Sequence, residues 1–110
     1  MNLKSRTYYE EQRRRAYERD GGCCVVCGVA APTGSIHHRQ GRGGANPHRL
    51  SNLITVHGSG TTECHGRIHA EPAWAFEWGF MVHRLGNATT EGTPVMYAGA
   101  PRLLTNNWES

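Results

Sequence analysis

Cys64-His65-Gly66-Arg67-Ile68-His69 is the stretch on which the fold turns. Read as helix, it sets His65 and His69 at i and i+4, on one face, where two imidazoles can grip one metal ion. Cys64 and His65 are neighbours and project in different directions, so the thiol can serve a second ion. Working outward, the upstream pieces are Cys24-Val25-Val26-Cys27-Gly28, then Ile36-His37-His38-Arg39, then Asn52 at the head of Leu53-Ile54-Thr55-Val56. The order Cys-x-x-Cys, His-His, Asn, Cys-His-x-x-x-His supplies ligands for two different ions. Thiolates favour a closed structural zinc site. Imidazoles in a small cluster suit an open, reactive one.

Two residues between Cys24 and Cys27 let both sulfurs converge on one zinc ion, with Gly28 easing the turn. Cys64 is the third ligand. His57, which follows the strand, is the choice for the fourth, with His48, Cys23 and Glu63 competing. On a strand, His37 and His38 face different ways, one toward a metal and the other toward a substrate water. Asn52 can bond backbone across the loop from His38, or bond the imidazole itself.

Composition agrees with a stapled domain. The 110 residues suffice for one domain, 1–110. Apolar residues are only 37% and glycines number 14, a thin core with a high entropy cost, so a metal staple helps. Net charge is +3, mildly basic and compatible with a polyanionic partner. No apolar run reaches the length of a membrane span, and residues 1–15 lack a signal peptide's apolar stretch. The reading is therefore a cytoplasmic chain with reduced thiols, where four cysteines point to metal before disulfides.

Along the chain, Thr7 to Glu10 fits a capping box and opens a helix over about 7–19, halted by Asp20-Gly21-Gly22. Tyr9, Ala16 and Tyr17 fall on its apolar face. Short strands are expected over Ser35–Arg39 and Leu53–Val56, with a glycine-rich loop over 40–47 between them. Cys64–Ala70 opens a second helix, and Pro72 begins a third that ends at Gly79. Phe80–Leu85, Pro94–Tyr97 and Arg102–Leu104 read as further strands. The fold class is α+β: an N-terminal helix, a knuckle and two-strand-plus-helix core over about 20–71, and a β-rich extension over 72–110.

The motifs over most of residues 20–70 resemble the HNH endonucleases, the ββα-metal nucleases, and more narrowly the small zinc-knuckle HNH proteins encoded by bacteriophages. The resemblance implies that His38 is the general base and that Asn52 orients it. It implies His37, His65 and His69 as ligands of a catalytic divalent cation (Mn²⁺, Ni²⁺, Co²⁺, Mg²⁺ or Zn²⁺). Cys24, Cys27 and Cys64 match the knuckle ligands of a structural zinc. Where the family usually has the fourth, a cysteine, this chain has His57, with six residues before Cys64 against the usual two. Many relatives carry aspartate where His37 stands, so the ion here has a softer ligand set.

The implied chemistry is phosphodiester hydrolysis on DNA, leaving 5′-phosphate and 3′-hydroxyl ends. His38, with a pKa near the operating pH, takes a proton from water, and the metal polarises the phosphate and helps the leaving 3′ oxygen. Arg39, Arg42, Arg49 and Arg67 lie near these residues in sequence and can contact backbone phosphates. Beyond DNA, the resemblance admits a phage terminase as a partner, packaging or homing as the role, and host cytoplasm as the place. Two other readings compete: a zinc-knuckle module that binds DNA or protein without cutting, and a degenerate HNH fold kept as an assembly factor.

Overall fold

Ser5, not Thr7, caps the first helix. The computed structural model describes residues 2–107. In it the Ser5 hydroxyl accepts from the Tyr8 amide at 3.1 Å, and α1 runs Arg6–Arg19. An extended Ser5 with its oxygen on the third amide of the helix satisfies one of the four orphan donors, which leaves Thr7 and Glu10 as ordinary first-turn residues. The helix stops at Asp20, as its composition demands. The buried face differs from the expected one: it carries Gln12, Ala16 and Arg19, while Tyr9 and Tyr17 are half-buried. Polar side chains can line this face because each has a carbonyl to meet. Gln12 donates to His48 O, and Arg19 donates to Leu50 O and Leu53 O.

Arg19 also grips Asp20 through two bonds of 2.8 and 3.0 Å, with both side chains withdrawn from solvent. Asp20 in turn accepts from the Thr55 amide and the Tyr97 hydroxyl. One buried carboxylate thus joins the first helix, the central hairpin and the C-terminal hairpin.

That central hairpin positions everything else. β1 (Ser35–His38) pairs antiparallel with β2 (Leu53–Val56), with His37 opposite Ile54 and His38 opposite Leu53. Opposed residues share a face and successive ones alternate. Ile36, His38, Leu53 and Thr55 therefore look toward α1, whereas Ser35, His37, Ile54 and Val56 look the other way. The packing follows the pleat. Ile36 and Leu53 join Ala16 and Leu50 in a small core. Ile54 and Val56 join Cys24, Val25, Ile68, Ala75, Phe80 and Val95 in the larger one, against α2 (Glu63–Ala70) and α3 (Pro72–Glu77).

The C-terminal half is less regular than its composition suggests. Phe80–Leu85 forms no strand. The amides of Phe80 and Met81 fold back onto Ala75 O, and only Val82 reaches β1's end, at Arg39 O. Gly79 explains the bend: its φ is +79° and an added Cβ would fall 1.9 Å from Pro94 O, so only glycine lets the two backbones meet. β3 (Val95–Tyr97) pairs with β4 (Ala100–Arg102), two residues earlier than Arg102–Leu104. Ala98 and Gly99, both at positive φ, make a two-residue turn that sets Tyr97 opposite Ala100. Among the described residues the architecture is thus α+β, with three α-helices and two small antiparallel sheets, and no helix is long and apolar enough to cross a membrane.

Candidate metal centres

Two clusters of metal-ligating side chains lie on either side of one helix turn. In the first, donor atoms of Cys24, Cys27, His57 and Cys64 all fall within 4.8 Å of one another. The turn that carries the first two is closed by Cys24 N to Val29 O and Gly28 N to Cys24 O. His57 sits just beyond β2, and its carbonyl accepts from the His65 amide at the start of α2, which brings Cys64 to the same point. His57 Nε2 lies 3.0 Å from Ala30 O. A carbonyl only accepts, so Nε2 carries the proton and Nδ1, 3.2 Å from Cys27 Sγ, presents its lone pair.

The donor set suits zinc. Burial and the neighbouring Cys24 and Cys27 sulfurs push the Cys64 thiol up to about 12, so three thiolates at this distance need a cation between them. At Cys27 burial opposes ionisation, but the Val29 amide, the other two thiols and His57 outweigh it and lower the pKa. The Cys₃His group can hold an ion such as zinc. Of the other contenders for the fourth position, Cys23 turns to Gly21 O and His48 lies against His38.

In the second cluster, donor atoms of His37, His65 and His69 meet the same 4.8 Å limit, and the three ring centroids are 5.1, 5.3 and 5.1 Å apart. His37 comes from β1's inner face, the other two from α2. The hydrogen bonds around them fix which nitrogen is bare. His37 Nε2 donates to Phe80 O at 2.9 Å, leaving Nδ1. The Ser35 hydroxyl donates to Gly58 O, so its oxygen accepts from His65 Nδ1–H and leaves Nε2. Ligating histidines are held in this way, with the second N–H on a carbonyl or similar acceptor. Burial, then His65, lowers the His37 pKa to about 3; the Phe80 carbonyl opposes this without reversing it. Burial and His69 lower that of His65. Neutral imidazoles are the form that binds metal.

His38 belongs to neither cluster. On the α1 side of the hairpin, its Nε2 is 3.0 Å from His48 Nδ1, and both rings pack on Tyr9. With His37 and His69 it still lines one cavity, of about 480 Å³. Its pKa is pushed down to about 3 by burial first, then by Arg42, His48 and Arg49, and so lies below the operating range anticipated from its residue type. Asn52 takes the backbone option and not the imidazole: its amide accepts from Gln40 N and donates to Gly41 O and Pro47 O, clamping both ends of the 40–47 loop. The residue at hydrogen-bond distance from the His38 ring is His48, whose place in the sequence suggests only a contender for the knuckle. His48 stands four residues before Asn52, and the loop closure that seats Asn52 seats it as well.

The four arginines separate. Arg39 is no phosphate contact: it is 1% exposed, and its guanidinium is spent on the carbonyls of Gly79, Ser51, Thr90 and Thr93. The pleat turned this side chain inward at the strand's end. Arg67 is exposed but pairs with Glu71 at 3.0 Å and covers Trp74. Arg42 is exposed, lying over Tyr9, and Arg49 is half-buried with only neutral partners. No protein-family model, curated protein or solved structure matches the chain.

Proposed function

We propose that the chain is a metal-dependent DNA endonuclease of the ββα-metal type, with β1, β2 and α2 as the ββα unit and Cys24, Cys27, His57 and Cys64 as its zinc knuckle. The observation that carries this is His38. A histidine that ligates nothing, sharing one cavity with two members of a three-imidazole cluster, has a use in hydrolysis and none in a purely structural zinc domain.

A divalent ion held by His37, His65 and His69 would polarise the phosphate and offset charge on the leaving 3′ oxygen. The chain's own residues do the rest. His48 occupies His38 Nε2, so Nδ1 is the nitrogen that takes the proton from water, with Nε2–H donating to His48 Nδ1. His38 is neutral at pH 7, as a base must be. A phosphodiester beside Arg42 and Arg49 cancels part of the charge that depresses it, which strengthens the base when substrate arrives. Asn52 holds the loop that follows His38 and so fixes the base's approach.

The test is incubation of supercoiled plasmid with purified protein and a panel of divalent ions, beside His38→Ala. Nicking or linearisation is expected with the wild type, and a loss of about 10²- to 10⁴-fold in the variant, with both ions retained. Plasmid left intact under every ion, yet retarded on a gel, would favour the non-cutting zinc module instead.

A further inference from the structure

A second cavity, of about 410 Å³, opens beside the histidine cavity and shares Gln40 and Arg84 with it. Its wall is the loop after β1. Arg84 lies across this loop: a Cβ at Gly41 would meet its Cδ at 3.5 Å, and one at Gly43 would fall 2.5 Å from its terminal nitrogen. Gln40 forms the floor, donating to His83 O and Ala88 O and accepting from Arg49 at 2.6 Å.

The pocket has positive charge and no internal anion. Among the described residues Arg84 makes no hydrogen bond or ion pair, and Arg49 makes no ion pair. Glu91 acts on Arg49 only from a distance. The amides of Gly43, Gly44 and Ala45, which line it, donate no hydrogen bond among these residues either. Successive free amides beside guanidinium groups make a seat for an anion. Asn46 lines the pocket with a buried side-chain oxygen that lacks a partner. Exchanging its amide oxygen and nitrogen lets the oxygen accept from the Tyr8 hydroxyl.

We propose that the 40–46 loop, Arg49 and Arg84 seat a phosphodiester of a nucleic-acid strand, adjoining the phosphate presented to His38. The continuity of the two cavities selects a polymer, since one ligand must run from one to the other. That choice rests on the nuclease reading; the pocket's taste for phosphate does not.

Binding of a fluorescent DNA duplex is measured by anisotropy in the His38→Ala background, so that cleavage plays no part. Losing one phosphate contact reduces the slope of log K against log salt by about 0.9, which at about 0.1 M salt is about eightfold in affinity. Arg84→Ala should show both changes. Gly43→Val should weaken binding as well, because it displaces Arg84 without altering charge. Arg14→Ala, an exposed cation of α1 already paired with Glu11 and Glu18, serves as the control. Arg84 is exposed, so an unchanged melting temperature is expected in Arg84→Ala. Unchanged affinity and slope in Arg84→Ala overturn the proposal. Inorganic phosphate shifting the Gly43 and Gly44 amide resonances while duplex does not bind overturns the polymer. Duplex binding lost in Arg84→Ala, in a chain that cuts nothing with any ion, upholds the pocket and sinks the nuclease reading.

Discussion

Arg39→Met should destabilise the protein and leave the DNA affinity of its folded form unchanged. The guanidinium makes four hydrogen bonds of 2.7–2.9 Å to main-chain carbonyls, three of them buried. Each buried acceptor left unmade costs about 1–3 kcal/mol, hence about 3–9 kcal/mol gross. Against this stands the cost of burying a charge with no carboxylate beside it. Burial first, with the nearby charges of Arg19 and Arg49 adding to it against Tyr97, draws the Arg39 pKa down to about 10, and recovering such a penalty returns several kcal/mol. A net loss of about 3 kcal/mol remains, equivalent to a fall in Tm of about 12–24 °C for a domain of this size. Arg39→Lys should be no better, since three donors on a point charge cannot span four carbonyls. Calorimetry of both variants, with duplex affinity measured at a temperature where each is folded, is the assay. A Tm within a degree of wild type together with weakened DNA binding would refute the reasoning and return Arg39 to the surface role its position in the sequence suggests.

Three further outcomes are expected. The purified protein should retain one zinc ion through dialysis, and His57→Ala should lower both zinc content and Tm; elemental analysis showing full zinc in a variant of unchanged Tm would remove His57 from the knuckle. Plasmid nicking should be faster with manganese, cobalt or nickel than with magnesium, and His37→Asp should move the preference toward magnesium by adding a hard oxygen. An unaltered preference in that variant would exclude His37 as a ligand. Ser35→Ala should weaken binding of the second ion by about 10- to 100-fold, because His65 loses the acceptor that holds its Nδ1–H, while zinc content stays constant. Isothermal titration giving equal affinities would show that Ser35 does not orient the ring.

The parts legible in the sequence are those governed by short-range pattern. Leu53–Val56 is the strand its residues announce, α2 starts one residue before Cys64, and the i, i+4 spacing of His65 and His69 does bring both rings to His37. The alternation of a strand likewise parts His37 from His38. What escaped depends on long-range partners. Arg39 reads as a surface cation until the carbonyls of the 79–93 segment wrap it, and nothing within ten residues of it foretells them. Gln12 and Arg19 occupy the helix's buried face for the same reason. His48 meets His38 only because a loop closes. Phe80–Leu85 has strand-like residues, but Gly79 turns the chain back on Ala75 before a partner strand is available.

One peptide bond separates Cys64 from His65, and each serves a different cluster at the head of α2. A rigid helix makes those two assignments one mechanical event: any rotation that withdraws Cys64 from Cys24 and Cys27 swings His65 away from His37. Under the proposed function the two ions are therefore thermodynamically linked. Whatever factor the knuckle ion contributes to the affinity of the histidine site must be returned in equal measure, because coupling free energy is reciprocal. The surrounding free zinc level would then set the fraction of molecules able to bind a catalytic ion at all, and the proposed nuclease output would track zinc supply without zinc entering the reaction.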